Sequence, residues 1–212
     1  MVTLKCRTVR ADECVYMARP REFDDDEVLN AAMLHFWQFG FEATSIKDLA
    51  GEMGMSVASI YNAFGDKRAL FRRVLEHYVD RSFEDRLSRF EGTLAPREAI
   101  EAFFKEIVER SLQDAERKGC MLINSALEMA PHDEEFRQVV SLVLARVESF
   151  FHRCVQAGQK DGTIDRALPA RDMARLLVAV HIGIRVMARS RPERAQLEGM
   201  LRPALAFLKP SH

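Results

Sequence analysis

Residues 55–70 read MSVASIYNAFGDKRAL. Two short apolar-periodic segments flank Gly65-Asp66, with a Ser, a Tyr, an Asn and a Lys set among the apolar positions. Ser56 can cap a helix over 57–63, its hydroxyl serving N–H groups of the first turn that have no partner within the helix. Gly65-Asp66 ends that helix and opens a longer one from Lys67 to about Arg89, with Leu70, Phe71, Val74, Leu75, Tyr78 and Val79 as its buried stripe. A helix of barely two turns depends wholly on packing for its stability. Its shortness makes sense if it is presented end-on to something. In a helix-turn-helix the second helix enters the major groove with its N-terminal residues against base edges.

The flanking sequence supports that geometry. A helix over 45–53 precedes the stretch, with Ile46, Leu49 and Met53 on one side, Ser45 and Asp48 spaced as a capping box, and Gly54 as its breaker. Before it, Leu29, Ala32, Met33, Phe36 and Trp37 recur at three and four, and Asp24, Asp25, Asp26 and Glu27 sit at the positive end of the helix dipole. That helix stops at Gly40. Phe36, Trp37, Leu49, Ile60 and Phe64 give the three-helix unit a core. Residues 1–16 carry neither helical nor strand period and read as a loose tail, compatible with translation beginning at Met17.

The polar residues of the unit then find roles. Lys67 occupies a first turn, where a cation opposes the dipole unless a phosphate completes the arrangement. Thr44 and Ser45 stand at another helix start, and Tyr61 faces outward if Ile60 and Phe64 face inward, so all three are candidates for backbone phosphate. Ala58, Ser59 and Asn62 remain for base edges: Asn pairs bidentately with adenine, Ser discriminates little, and Ala meets a thymine methyl. Arg19 and Arg21 are candidates for a basic arm to the backbone or minor groove. Each has an ordinary reading beside this one. Ser45 and Ser56 are caps in any case, Lys67 can be a surface lysine, Tyr61 a half-buried core residue, and the two arginines a solvated lead-in.

Composition narrows the function class. A chain of 212 residues with 48% hydrophobic and 30% charged residues is ordinary for a folded protein and needs no metal or disulfide staple. Its net charge of −1 provides no global field towards nucleic acid, so any such footprint is local. Cys6, Cys14, Cys120 and Cys154 match no CxxC or Cys–His metal spacing, no apolar leader is present, and no run reaches a membrane span. A cytoplasmic, reduced protein is expected. His132, His152 and His181 lack metal-site spacing, and no nucleophile elbow, P-loop or dinucleotide fingerprint occurs. No catalytic residue, metal or cofactor is therefore expected.

Beyond residue 90 the pattern stays helical. Ala99, Ile100, Phe103, Phe104, Ile107, Val108 and Leu112 share one helix, and a short segment follows Gly119 and stops before Pro131. A long helix is expected over 136–155, a loop over 157–165, and two last helices over 170–188 and 193–207. The chain reads as all-α, with about nine helices and no internal repeat.

The stretch over 20–71 closely resembles the TetR family of bacterial transcriptional regulators. Gly40, Thr44-Ser45, Leu49-Ala50, Gly54-Met55-Ser56, Tyr61, Phe64 and Lys67 carry the resemblance. It implies that Thr44, Ser45, Tyr61 and Lys67 contact phosphate and that 57–63 is the recognition helix. Ala63 departs from the His that many members have before the Phe, which puts one contact in doubt. The implied organisation is a flexible tail over 1–18, a DNA-binding head over 19–71 and an effector-binding and dimerisation domain over 90–208, of which GCMLINSALEMAPHD (119–133) resembles one subgroup. Candidates for the effector pocket are Phe103, Phe104, Ile107, Met121, Asn124, Phe151 and His181. Leu176, Val180, Gly183, Ile184 and Met187, with Leu197, Leu201 and Leu205, are candidates for a dimer interface or for a monomer core. The expected function is a homodimeric repressor that binds a palindromic DNA operator and is released by a small-molecule effector. An activator, a thiol-responsive regulator through Cys120 or Cys154, and more remotely a helical binding protein or enzyme are the alternatives.

Overall fold

The computed structural model describes residues 24–210. The expected tail, the arm candidates Arg19 and Arg21, and Cys6 and Cys14 lie outside the described residues. Within them are nine helices and no strand, counting as one the helix that contains a π-helical turn. They are α1 (Asp25–Phe39), α2 (Ile46–Glu52), α3 (Val57–Phe64), α4, α5 (Pro96–Gln113), α6 (Met121–Glu128), α7 (Glu134–Asp161), α8 (Ala170–Ser190) and α9 (Arg194–Ala206). Helix α4 begins as Lys67–Val79, widens into the π-helical turn Asp80–Glu84 and resumes as Asp85–Phe90.

Local chemistry sets the boundaries of the head. Asp24 accepts from the Asp26 N–H at 2.8 Å, and the Ser45–Asp48 box closes with both reciprocal bonds. Ser56 accepts from the Ser59 N–H at 3.0 Å, a cap that stabilises a helix by about 1 kcal/mol. Gly65 then turns the chain at φ +89°, a conformation that L side chains rarely adopt, and Asp66 caps α4 through the Ala69 N–H at 2.7 Å. Phe36, Leu49 and Ile60 are buried between α1, α2 and α3.

The larger body is built around the extensive pairing of α7 with α8; α5 packs on both, α9 lies on α8 and α5, and α6 bridges α4 and α7. Head and body share core. Phe71 of α4 meets Phe41 at 5.1 Å and Phe136 of α7 at 5.4 Å between ring centroids.

One expectation is corrected. The expected loop over 157–165 is in part helix, because α7 continues to Asp161 and ends at Gly162 in the left-handed conformation. Gly158 permits this: a Cβ there would come within 2.5 Å of Ile164, the residue that folds back on the helix end. The helix expected from Lys67 to about Arg89 is present and runs to Phe90, with a π-helical turn over 80–84. Phe83 and Arg86, three residues apart on one face, are both buried. No helix among the described residues is long and apolar enough to cross a membrane.

Candidate functional site

Helix α3 presents an open face. Val57, Ala58, Ser59, Tyr61 and Asn62 are all exposed, while Ile60 and Phe64 point into the head. Tyr61 is 49% exposed, and the Ser59 and Ser56 hydroxyls are 2.8 Å apart at the helix start. Beside this face, the Ser45 hydroxyl donates to the Asp48 carboxylate at 2.6 Å and accepts the Asp48 N–H at 3.2 Å. The first N–H groups of α2 have no partner within the helix beyond that cap, as at any helix start.

Lys67 is more engaged than a surface lysine. Its ammonium donates to the carbonyls of Phe41 and Thr44, each at 2.9 Å, and lies 4.2 Å from the centre of the Phe41 ring. Two of its three donors thus tie the loop between α1 and α2 to the start of α4. Thr44 is corrected. It is 1% exposed and its hydroxyl donates to the Gly40 carbonyl at 2.7 Å, so its side chain shapes the loop from inside and offers no surface to phosphate.

A cavity of about 730 Å³ lies between α1, α4, α5, α8 and the segment that joins α5 to α6. Trp37, Tyr78, Phe83 and Ile107 form its apolar walls. Trp37 and Tyr78 meet edge to face at 5.1 Å, a favoured geometry for aromatic pairs. Arg86 is 3% exposed and bonds Glu106 at 2.9 Å; burial pushes its pKa down and Glu106 pulls it back. The Tyr78 hydroxyl donates to the Cys120 sulfur at 3.5 Å, and burial raises the Tyr78 pKa, so the phenol stays protonated. Cys154 lies elsewhere, on α7, and burial raises its thiol to about 11.

A family model described as "Bacterial regulatory proteins, tetR family" matches residues 28–74, and one described as "Tetracyclin repressor-like, C-terminal domain" matches residues 96–203. YezE, an uncharacterized HTH-type transcriptional regulator of Bacillus subtilis (strain 168), is 30% identical over 194 residues, spanning 91% of this chain and 100% of YezE. The chain belongs to the TetR family of bacterial regulatory proteins. The HTH-type transcriptional repressor ComR of Escherichia coli (strain K12) is 29% identical over 200 residues, covering 93% of this chain and 94% of ComR. Among solved structures, a cysteine mutant of the TetR-family regulator CifR, complexed with 26-bp double-strand operator DNA, superposes with a TM-score of 0.78. It is 31% identical and covers 89% of this chain and 98% of that one.

As a TetR-family member, this chain is a DNA-binding transcriptional regulator. Its body departs from several expectations. Of the seven pocket candidates, Ile107 and His181 line the cavity. Met121 and Asn124 line a smaller cleft of about 230 Å³ near Gln38 and Arg189. Phe103, Phe104 and Phe151 are corrected: all three are fully buried core residues, with Phe104 and Phe151 stacked at 5.5 Å. Phe103 still backs the site by meeting the His181 ring at 5.3 Å. Of the interface candidates, Ile184, Leu197 and Leu201 are buried within the chain itself, whereas Leu176, Val180, Gly183, Met187 and Leu205 are only partly covered. Trp37, Arg86 and Arg185 on the cavity were not among the sequence candidates.

Proposed function

We propose that this TetR-family regulator is a cytoplasmic repressor that acts as a homodimer on a palindromic operator and leaves it when a small molecule occupies the cavity. The observation that carries the DNA contact is the exposed face of α3, whose outward polar residues serve no other helix among the described residues. Asn62, Ser59 and Ala58 read base edges; Tyr61, Ser45 with its helix start, and the remaining donor of Lys67 hold phosphate. Arg19 and Arg21 add a basic arm. Pairing through the partly covered stripes of α8 and α9 supplies the second reading helix, since one short helix reaches few bases.

The route from cavity to head is contiguous. Helix α6 starts beside the cavity at Cys120, and at its other end Glu128 accepts the Glu42 N–H of the α1–α2 loop at 2.9 Å. Helix α4 carries cavity residues at Tyr78 and Phe83 and begins at Lys67 in the head. A ligand that favours one setting of α4 and α6 changes the spacing of the two heads, which is differential binding between two states.

The test is a fluorescence anisotropy titration with duplexes from the region upstream of this protein's own gene. Specific binding over a scrambled duplex is expected. Lys67→Ala should weaken every sequence alike, while Asn62→Ala should change preference among sequences. Equal affinity for the upstream and scrambled duplexes would refute the reading.

A further inference from the structure

Arg185 is a buried charge on the cavity wall. It is 7% exposed, and its guanidinium donates to the Ser111 hydroxyl at 2.8 Å and to the Gly119 carbonyl, both neutral acceptors. Among the described residues no carboxylate pairs with it. A guanidinium has five N–H donors, so these two bonds leave donors over. Burying a charge without a counter-charge is costly, and the cost falls when an anion arrives.

Its neighbours are of the same kind. His181, one turn earlier on α8, is 1% exposed and neither ring nitrogen has a hydrogen-bond partner. The Trp37 indole N–H on the opposite wall is also buried without one. Buried polar groups are normally satisfied, and an unsatisfied group calls for an explanation such as a missing ligand. Both side chains belong to the lining of this one cavity. The surrounding charge has a matching sign. Four basic side chains line the cavity (Arg86, Arg110, Lys118 and Arg185) against two acidic ones, Asp114 and Glu116. Glu116 is already paired with Lys118, and Asp114 accepts the Gly119 N–H at 2.7 Å. Just outside, Glu106 serves Arg86, Arg89 and Arg110 together.

We infer that the cavity takes a small aromatic carboxylate, its charged end on Arg185 and His181 and its ring against Trp37, Tyr78 and Phe83. One unpaired guanidinium suits a single negative charge, and three aromatic walls suit a flat apolar body. The neutral His181 has one ring N–H to donate to the carboxylate, whose oxygens only accept. This inference rests on the reading of the cavity as the effector site.

Trp37 is the chain's single tryptophan, so intrinsic fluorescence reports on the cavity directly. The full-length protein is titrated with benzoate, trans-cinnamate and 2-naphthoate, each against its neutral amide. At least one acid should quench Trp37 saturably and bind about tenfold or more tightly than its amide, the scale of one charge-assisted contact. Arg185→Gln should abolish that preference. Arg185→Lys, which keeps the charge, should retain most of it, as should Arg194→Gln on α9. No saturable quenching by any acid, acids no better than amides, or a folded Arg185→Gln protein with full preference would each overturn the inference. Parallel anisotropy with operator DNA separates the two levels. Carboxylate binding that leaves operator affinity unchanged upholds the anion site and rejects the effector reading. Operator release without a preference for acids does the reverse.

Discussion

His181 sets a pH dependence that can be derived from its surroundings. Burial first, then Arg185 and Arg86, push its pKa down to about 3, so the imidazole is neutral in the folded chain at ordinary pH. In the unfolded chain the same ring takes its proton near pH 6.5. Between those values the unfolded state binds more protons, so stability falls as pH drops from about 6.5 towards 3. From pH 7 to pH 5 this one residue costs about 2 kcal/mol. His181→Leu removes the titration together with both unpaired nitrogens. Urea unfolding at the two pH values should show the wild type losing about 2 kcal/mol more than the variant; equal losses would assign the titration to another group. The position was legible as inward-facing, because it falls on the stripe of Leu177, Ile184 and Ala188, all buried. Arg185 lies on that same stripe, but a guanidinium in a helical pattern is ordinarily a solvated residue, and only packing reveals it as buried. Tyr61 was legible from the spacing of Ile60 and Phe64. Thr44 was not: nothing local distinguishes a hydroxyl aimed at solvent from one aimed at the Gly40 carbonyl.

Helix starts and stops were the most readable elements, since caps are local chemistry. Ser45 with Asp48, Ser56, Asp66 and Gly65 act as their residue types dictate. The far end of α7 was hidden because its glycines and polar residues have loop composition, and packing against Ile164 overrides that preference. The π-helical turn in α4 likewise leaves no local signature. What joins the elements is a clamp between head and body. Arg68 bonds both oxygens of Asp133, at 2.6 and 2.8 Å, and reaches Glu135 at 3.0 Å, while Arg72 also pairs with Glu135. The Arg68 bond, offsetting partial burial, holds the Asp133 carboxyl below its ordinary pKa. Asp133 also caps α7 through the N–H groups of Glu135 and Phe136. Asp133→Asn keeps an acceptor for the cap and removes the charge. Hydrogen exchange should then speed up several-fold at amides 67–72 and stay unchanged in the middle of α7. Unchanged exchange over 67–72 would mean that the ring contacts of Phe71 and Phe136 hold the joint alone.

The head does not attract DNA by bulk charge. Residues 24–71 contain three Lys/Arg (Lys47, Lys67 and Arg68) against eight Asp/Glu. Part of that acidity is turned towards α4, where Arg73 pairs with Asp25 and Arg81 with Asp26. Affinity therefore has to come from positioned contacts around α3 and from having two heads on one two-fold axis. The overall class, all-α with a small head and a larger body, was legible because helical periodicity persists along the chain and one motif fixes the head. The division of the α8 and α9 stripes between core and partly covered surface was not, since a core and an interface are made of the same apolar residues. The most direct test of the account is selection of duplexes from a random library by the full-length protein, repeated with Asn62→Ala. The account predicts a palindromic consensus for the wild type and, for the variant, relaxed preference at one pair of symmetry-related positions, at about 1–3 kcal/mol per mismatched base pair. A consensus without two-fold symmetry, or one that Asn62→Ala leaves unchanged, would contradict it.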